Sequence, residues 1–496
     1  MTSKKEVPYC PLFEGRPFQY GPACACALGQ QKMLVYYPLG SGKTLAALHA
    51  ASVFMEKHPT GSVIVMTPLS NVATTWPTEI KKYCKVMGKS HISLKKTIVH
   101  NPDWWFSLKN EPLKCYNEII RFLTTKNKST NSLIRLSAFE LTREYMILVQ
   151  KKNRIKNRTQ FGPQHLKLTM LDAAIPEGPY CFILDECQQY LNFSAHTELA
   201  NKLAEHAAVT ILLSATPLHK IEQYSGLRRL LGHITNISVL WTNCSEGLPS
   251  IDDEHVINSI MTEEEWTKHR RAIAAKSAAG NSENAYLTKT RQTCNCESKW
   301  ARMEAELLKH VVEVAPVRIV VYSFYRHHGV EGFFDYLRDK WECPTDGTRK
   351  TRLKYQVNGV KVRCSLKYDK TLKWFNKDGP EAKILLLSSK DAIGISLKNV
   401  RWVHLMEPQW SDATDQQAIG RATRKDSHDL TESIVHVYRW ISKPLRGYTM
   451  QLSADSRVRL SMLKKKQSND KLLRKLQILG GRYLRKVFKA VTIKTY

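Results

Sequence analysis

Apolar residues in this chain gather in short runs, each the length of one strand and each followed by a helix-length stretch of mixed polarity. Val35-Tyr36 closes one run, residues 62–68 form a second that ends at Pro68, and residues 133–137, 180–186 and 209–213 follow. Runs that are apolar at nearly every position suit strands buried on both faces. Strands separated by helical lengths suit a parallel sheet covered on both sides. The pattern stops between Asn243 and Ser298, a polar and helix-prone stretch, and resumes at residues 318–324, 383–389, 402–406 and 434–438. The expected fold is α/β, with two tandem units, each a mostly parallel sheet flanked by helices.

Two charged stretches interrupt this alternation. Lys109 to Lys167 is basic and weakly apolar, and is expected as an insertion at the edge of the first sheet. Lys340 to Lys370 is Lys-rich and is expected as an insertion in the second unit. Near the end, Leu472, Leu473, Leu476, Leu479, Leu484, Val487 and Phe488 recur at helical spacing, which predicts a basic amphipathic tail packed on the second unit. The expected boundaries are residues 1–242 for the first unit, 243–300 for a helical connection, 301–445 for the second unit and 446–496 for the helical tail.

Composition adds a partner. The 496 residues carry a formal charge of +30, spread along the whole chain, and a field of that sign attracts polyanions, either nucleic acid or an anionic membrane. The longest apolar runs are strand-sized and far below spanning length, so a membrane partner is not expected. No apolar signal core follows Met1, and the expected location is the host cytoplasm or nucleus. Twelve cysteines without any C-x-x-C spacing predict reduced thiols rather than a disulfide scaffold or a zinc site.

Chemistry enters at Gly40-Ser41-Gly42-Lys43-Thr44, between an apolar strand and a run of helix formers. Glycines let backbone N–H groups converge on one anion, the helix start is positive, Lys43 reaches terminal phosphates and the Thr44 hydroxyl suits Mg²⁺. This is the pattern of an ATP cradle, although Tyr37 stands where the motif's first glycine would be. Asp185-Glu186-Cys187-Gln188 ends another apolar strand, which in a parallel sheet brings both acids to the same edge as the loop. Asp185 would hold Mg²⁺ and Glu186 would orient the attacking water. Further on, Gln416-Gln417-Ala418-Ile419-Gly420-Arg421-Ala422-Thr423-Arg424 spaces two arginines i, i+3, expected on one helical face and suited to neutralising phosphate charge.

Taken in order, these segments resemble the superfamily 2 helicases and translocases, whose fold is two RecA-like lobes. The resemblance covers most of residues 15–440. Gly394-Ile395-Ser396-Leu397, Glu407-Pro408-Gln409-Trp410 and Gly420 to His428 are similar to the Swi/Snf-like branch, in particular to the poxvirus nucleoside triphosphate phosphohydrolase and early transcription factor small-subunit families. The resemblance implies a nucleic-acid-dependent ATPase with ATP and Mg²⁺ as cofactors. It implies adenine reading by Gln19, catalytic roles for Gln417, Arg421 and Arg424, and coupling through Gln188, Ser214 and Thr216, with Gln188 in place of the family's usual His. Backbone contacts to nucleic acid would come from Thr67, Pro68, Ser137, Ser388 and Gly394. The expected track is duplex DNA with little sequence specificity, and transcription machinery or a virion is the expected setting. Strand-unwinding on RNA or DNA, and a transcription-complex subunit acting mainly by binding, are the alternatives.

Overall fold

The computed structural model describes residues 4–13, 16–67, 75–87, 97–100, 178–192, 195–232, 239–243, 249–252, 254–277, 290–341, 352–367, 371–389, 391, 395–424, 427–428, 434–445, 447 and 451–494. Two units emerge: Met1–Pro38 with Gly42–Cys244 and Lys471–Tyr496, and Leu39–Ser41 with Ser245–Asp470.

In the first unit, β1 (Lys5–Pro8) and α1 (Gly21–Ala27) precede β2 (Lys32–Tyr36), α2 (Lys43–Lys57), β3 (Ser62–Met66), α3 (Thr75–Met87) and β4 (Thr97–His100). Then come β5 (Tyr180–Asp185), α4 (Ala195–His206), β6 (Val209–Ser214), α5 (Gln223–Leu231) and β7 (Val239–Trp241). The sheet order is β4-β3-β5-β6-β2-β7, parallel throughout. Side chains alternate between faces with period two. Val35, Val65, Ile183 and Ile211 therefore enter one apolar core, and Leu34, Ile64, Phe182 and Leu212 enter the opposite one. That two-sided burial is why β5 and β6 are apolar without alternation. Register sets the C-terminal ends side by side, with Met66 opposite Leu184, Asp185 opposite Leu213 and Tyr36 opposite Ser214. The phosphate loop, Thr67, Asp185-Glu186 and Ser214-Ala215-Thr216 thus leave one edge of the sheet.

The second unit begins with β8 (Ser250–Ile251), β9 (His255–Ile260), α6 (Glu263–Ser277), α7 (Glu297–Val314), β10 (Arg318–Ser323) and α8 (Gly332–Lys340). It continues through β11 (Arg352–Val357), β12 (Val360–Leu366), α9 (Thr371–Asn376), β13 (Ala382–Ser388), β14 (Val400–Leu405), α10 (Asp412–Ile419) and β15 (Ile434–Lys443). Its sheet runs β11-β12-β13-β10-β14-β15-β8, with β9 also on β15, and only the β11–β12 pair among the described strands is antiparallel. The expected α/β class with two mainly parallel sheets is what the chain forms.

Four expectations are corrected. Residues 243–300 are not simply a helical connection, because β8 and β9 lie within them and pair with β15. The Lys340–Lys370 stretch carries a hairpin, β11–β12, that joins the sheet through β13. The tail forms one helix, α11 (Ala454–Ala490); its start belongs to the second unit, where Ala454 joins Met261 and Trp266, but the expected apolar stripe from Leu472 onward packs on the first unit: Leu476 joins one core of the first sheet, and Tyr483, Leu484 and Val487 the other. The helix crosses the sheet at edge strand β7. A Cβ on Gly480 would lie 2.6 Å from the Trp241 Cβ and 2.9 Å from its backbone N, so only glycine permits that approach. The terminal β16 (Val491–Lys494) then pairs in parallel with β1. Fourth, Arg421 and Arg424 do not share a helical face, because α10 stops before them. The expected strand at 133–137 and the Lys109–Lys167 insertion lie outside the described residues.

Candidate nucleotide site and its hydrogen-bonded relay

The phosphate loop is shaped by backbone conformation. Gly40 has φ +73° and Gly42 φ +82°, both left-handed, and Gly42 caps the start of α2. A Cβ at Gly42 would also fall 2.2 Å from Gln19 Nε2, so the loop and the expected adenine-reading residue are in direct apposition. Lys43 Nζ donates to the carbonyls of Pro38 at 3.0 Å and Tyr37 at 3.2 Å, which holds the ammonium over its own loop. Thr44, the second residue of α2, sits at the helix's positive end.

Tyr37 explains its own departure from the motif. The side chain is fully buried, its hydroxyl donates to the Phe18 carbonyl at 2.9 Å, and the two rings meet edge to face at 5.4 Å. A glycine there would leave the Pro17–Tyr20 turn, which carries Gln19, without this anchor to the loop.

Asp185 is buried at the end of β5. Its Oδ2 accepts from Thr67 Oγ1 and Trp76 Nε1, each at 3.0 Å, and its Oδ1 accepts from the Glu186 N–H at 3.0 Å. Burial, then the Glu186 charge, pushes the Asp185 carboxyl above the usual carboxylate range. Trp76, Thr67 and Lys43 pull the other way. A fixed, desolvated carboxylate beside Lys43 is a hard oxygen donor that fits Mg²⁺, and a divalent ion would offset the burial cost. Thr67 is therefore a support for Asp185: its residue is 0% exposed and its hydroxyl is committed, which corrects the expected contact with nucleic acid. Sequence offered no distinct signal for Trp76, which shares the amphipathic α3 with Ile80, Tyr83, Cys84, Val86 and Met87.

Glu186 sits in the left-handed region at φ 50°, unusual for a residue with a Cβ. Its Oε2 accepts from Gln188 Nε2 at 2.6 Å, Gln188 Oε1 accepts from Ser214 Oγ at 2.6 Å, and Ser214 Oγ accepts from the Thr216 N–H at 2.9 Å. Gln223 Nε2 donates to the Gln188 carbonyl at 3.1 Å and fixes the turn. Gln188 and Ser214 are both buried, so the relay from Thr216 to Glu186 runs through protein and not through water. An amide can serve because it donates from one atom and accepts at the other without titrating.

In the second unit, Ser411 caps α10 by accepting from the Ala413 N–H at 3.2 Å. The helix ends at Ile419, and Gly420 follows as its cap, so Arg421 and Arg424 lie on the succeeding turn and not on a helical face; Gln417 is within the helix. This turn is tied back by the Leu397 N–H on the Arg421 carbonyl and the Ser427 N–H on the Arg424 carbonyl. Beneath α10, buried Arg439 of β15 grips Glu254 with two bonds of 2.6 and 2.8 Å and also donates to Asp415 of the helix. Glu407 is buried where β14 ends and accepts from Ser323 Oγ at 3.0 Å and Asn295 Nδ2 at 3.1 Å. Ser388 is likewise buried, with its hydroxyl on Asp391, which corrects its expected contact with nucleic acid. Thr67 and Ser388 share one reason: each hydroxyl stands at the buried C-terminal end of a strand and is spent on a neighbouring carboxylate. Pro68, Ser137 and Gly394 lie outside the described residues.

Residues 22–224 match the model of the DEAD/DEAH box helicase family, and residues 308–426 match the helicase conserved C-terminal domain. The chain belongs to the superfamily 2 helicases. The first match spans the phosphate loop, Asp185 to Gln188 and Ser214 to Thr216, and the second spans Gln417, Arg421 and Arg424. Among similar proteins, the Acanthamoeba polyphaga mimivirus protein L538, described as an ATP-dependent RNA helicase, is 28% identical over 166 residues, 32% of this chain and 34% of that protein. An African swine fever virus protein described as a termination factor NPH-I homolog is 44% identical over 54 residues, 11% of this chain and 8% of its own length. The chain thus spans about a third or less of these relatives. The Pyrococcus furiosus Hef helicase domain aligns over 88% of this chain and 97% of that one, at 13% identity and a TM-score of 0.44. No helix among the described residues is long and apolar enough to cross a membrane.

Proposed function

We propose that this protein hydrolyses ATP in response to nucleic acid and moves along it, with duplex DNA as the favoured track and viral transcription or genome handling as the setting. The observation that carries the reading is the buried relay from Thr216 through Ser214 and Gln188 to Glu186, because a scaffold protein has no need to wire a strained carboxylate to a neighbouring loop.

In this reading the loop N–H groups and Lys43 bind the phosphates, Thr44 and Asp185 hold Mg²⁺, and Gln19 recognises the base. The ion, when bound, neutralises charge on the phosphate oxygens. Glu186 accepts a hydrogen bond from the attacking water and aims it at the terminal phosphorus, which phosphoryl transfer to water requires. The Gln188 amide fixes the Glu186 carboxylate, and movement of Thr216 or Ser214 alters that orientation, which is how the occupancy of a track would reach the chemistry. Gln417, Arg421 and Arg424 are proposed to stabilise charge on the transferring group.

The net charge of +30 supports a polyanionic track, and the branch-specific Gly394 to Leu397 and Glu407 to Trp410 segments favour a duplex. A second reading, unwinding of RNA, is favoured by the mimivirus relatives, which are described as RNA helicases. ATPase titrations with duplex DNA, single-stranded DNA and RNA, beside a strand-displacement assay, separate the two. Strongest stimulation by duplex without displacement is expected; stimulation by RNA alone, with displacement, would overturn the duplex reading.

A further inference from the structure

The C-terminal part of α11 takes no part in the nucleotide site, yet it concentrates charge. From Lys471 to Ala490 the helix carries seven Lys and Arg and no Asp or Glu. At about 100° per residue, Lys471, Lys475, Arg482 and Lys489 fall nearly on one line, with Arg474, Arg485 and Lys486 beside it, an arc of about 120°. All seven are exposed, opposite the stripe of Leu476, Gly480, Leu484 and Val487 that is buried on the first unit. One turn upstream of this segment Lys466 pairs with Asp412 at 3.1 Å, but among the described residues none of the seven has an ion-pair partner.

Solvated basic helices usually interleave acids three or four residues away, which lowers self-repulsion. Here six like-charge pairs at those spacings go uncompensated on a helix that is firmly docked: Gly480 sits against Trp241, and β16 is hydrogen-bonded to β1. Ile478, 55% exposed, lies within the same arc and leaves its centre without a charge. A straight row of long, flexible cations has no geometry for reading bases. It matches a partner whose charge is dense and evenly spaced.

We propose that this face is a phosphate rail, a contact to the sugar-phosphate backbone of duplex DNA separate from the helicase motifs. It is about 27 Å long, or roughly eight base pairs of duplex. The inference rests on the duplex-DNA reading above. Its function is to keep the first unit on the track while the nucleotide site turns over.

The test replaces Lys471, Lys475, Arg482 and Lys486 with Gln together in the full chain, since Gln keeps helix propensity. Binding of a fluorescent duplex is followed by anisotropy across a series of KCl concentrations. The slope of log affinity against log salt should fall by about 3 to 4, close to one for each phosphate no longer neutralised. Half-maximal ATPase stimulation should need more than about tenfold more DNA, with basal turnover and the stimulated maximum unchanged. A set exchanging Lys for Arg and Arg for Lys at the same positions should keep the wild-type slope. A quadruple variant with the wild-type slope overturns the rail alone, as does a charge-preserving set that loses binding. A wild-type protein without salt-dependent binding to duplex overturns the duplex reading and the rail together.

Discussion

Replacing Gln188 with Met keeps an unbranched side chain of similar volume and removes both ends of the relay. Ser214 Oγ loses its acceptor and Glu186 Oε2 its donor, each now 2.6 Å away. The Gln223 bond to the Gln188 backbone carbonyl survives, so the turn keeps its anchor. A hydrogen bond to a carboxylate is worth about 1.5–3 kcal/mol, and a stranded buried hydroxyl costs about 1–3 kcal/mol. If the first quantity is what holds Glu186 aimed at water, its loss from the transition state lowers stimulated turnover by roughly 10- to 150-fold. The KM for ATP, which depends on the loop and Lys43, should barely change. Steady-state ATPase with and without nucleic acid reads the effect, and the ratio of stimulated to basal turnover should collapse. Gln188→His restores a donor and an acceptor, and should recover part of the turnover with a new pH dependence near the imidazole range. Wild-type stimulated turnover in Gln188→Met, from a folded protein, would refute the relay.

Gly42→Ala places a Cβ 2.2 Å from Gln19 Nε2 at a left-handed φ of 82°, so nucleotide affinity should fall at least about tenfold; titration with a fluorescent ATP analogue checks this, and unchanged affinity would contradict the loop geometry. Arg424→Ala should lower turnover by roughly 10³-fold or more with little change in ATP binding; lost binding with normal residual turnover would contradict its role. His310, 3% exposed and stacked on Trp402 with ring centroids 4.6 Å apart, is pushed by burial down to about 4. A depressed imidazole means that the unfolded chain takes up the proton first, so stability is full above about pH 6.5 and is lost as pH falls toward about 4. His310→Phe keeps the stack and should lessen, without abolishing, the fall of melting temperature across that window, since burial also depresses His219, His269 and His404; an unchanged pH profile would contradict the assignment.

What was legible in the sequence follows from burial. β5, β6, β10 and β13 are covered on both faces, so their apolar runs needed no context. β9 and β11 lie at exposed positions of the second sheet, and His255-Val256-Ile257-Asn258-Ser259-Ile260 and Arg352-Leu353-Lys354-Tyr355-Gln356-Val357 carry polar side chains that disguise a strand. The amphipathic tail announced a buried face but not its partner. Gly480-Gly481, in a helix otherwise free of glycine, was the mark of a close backbone approach. The acids and the phosphate loop were readable because local spacing carries their chemistry. The relay was not, because Gln188 and Ser214 are 26 residues apart and only the parallel register of β5 on β6 joins them. Thr67 and Ser388 misled for the opposite reason: a hydroxyl at a strand end looks the same in sequence whether it faces a ligand or a buried carboxylate.

The most direct measurement is ATP turnover by Glu186→Gln beside the wild type, with saturating duplex DNA and with ATP binding measured on the same preparations. Wild-type turnover should rise on adding DNA, and the variant should bind ATP normally while turnover falls by at least about 10²-fold, the scale of a lost general base. Equal turnover in the two proteins, or hydrolysis indifferent to every polynucleotide, would contradict a motor driven from Glu186.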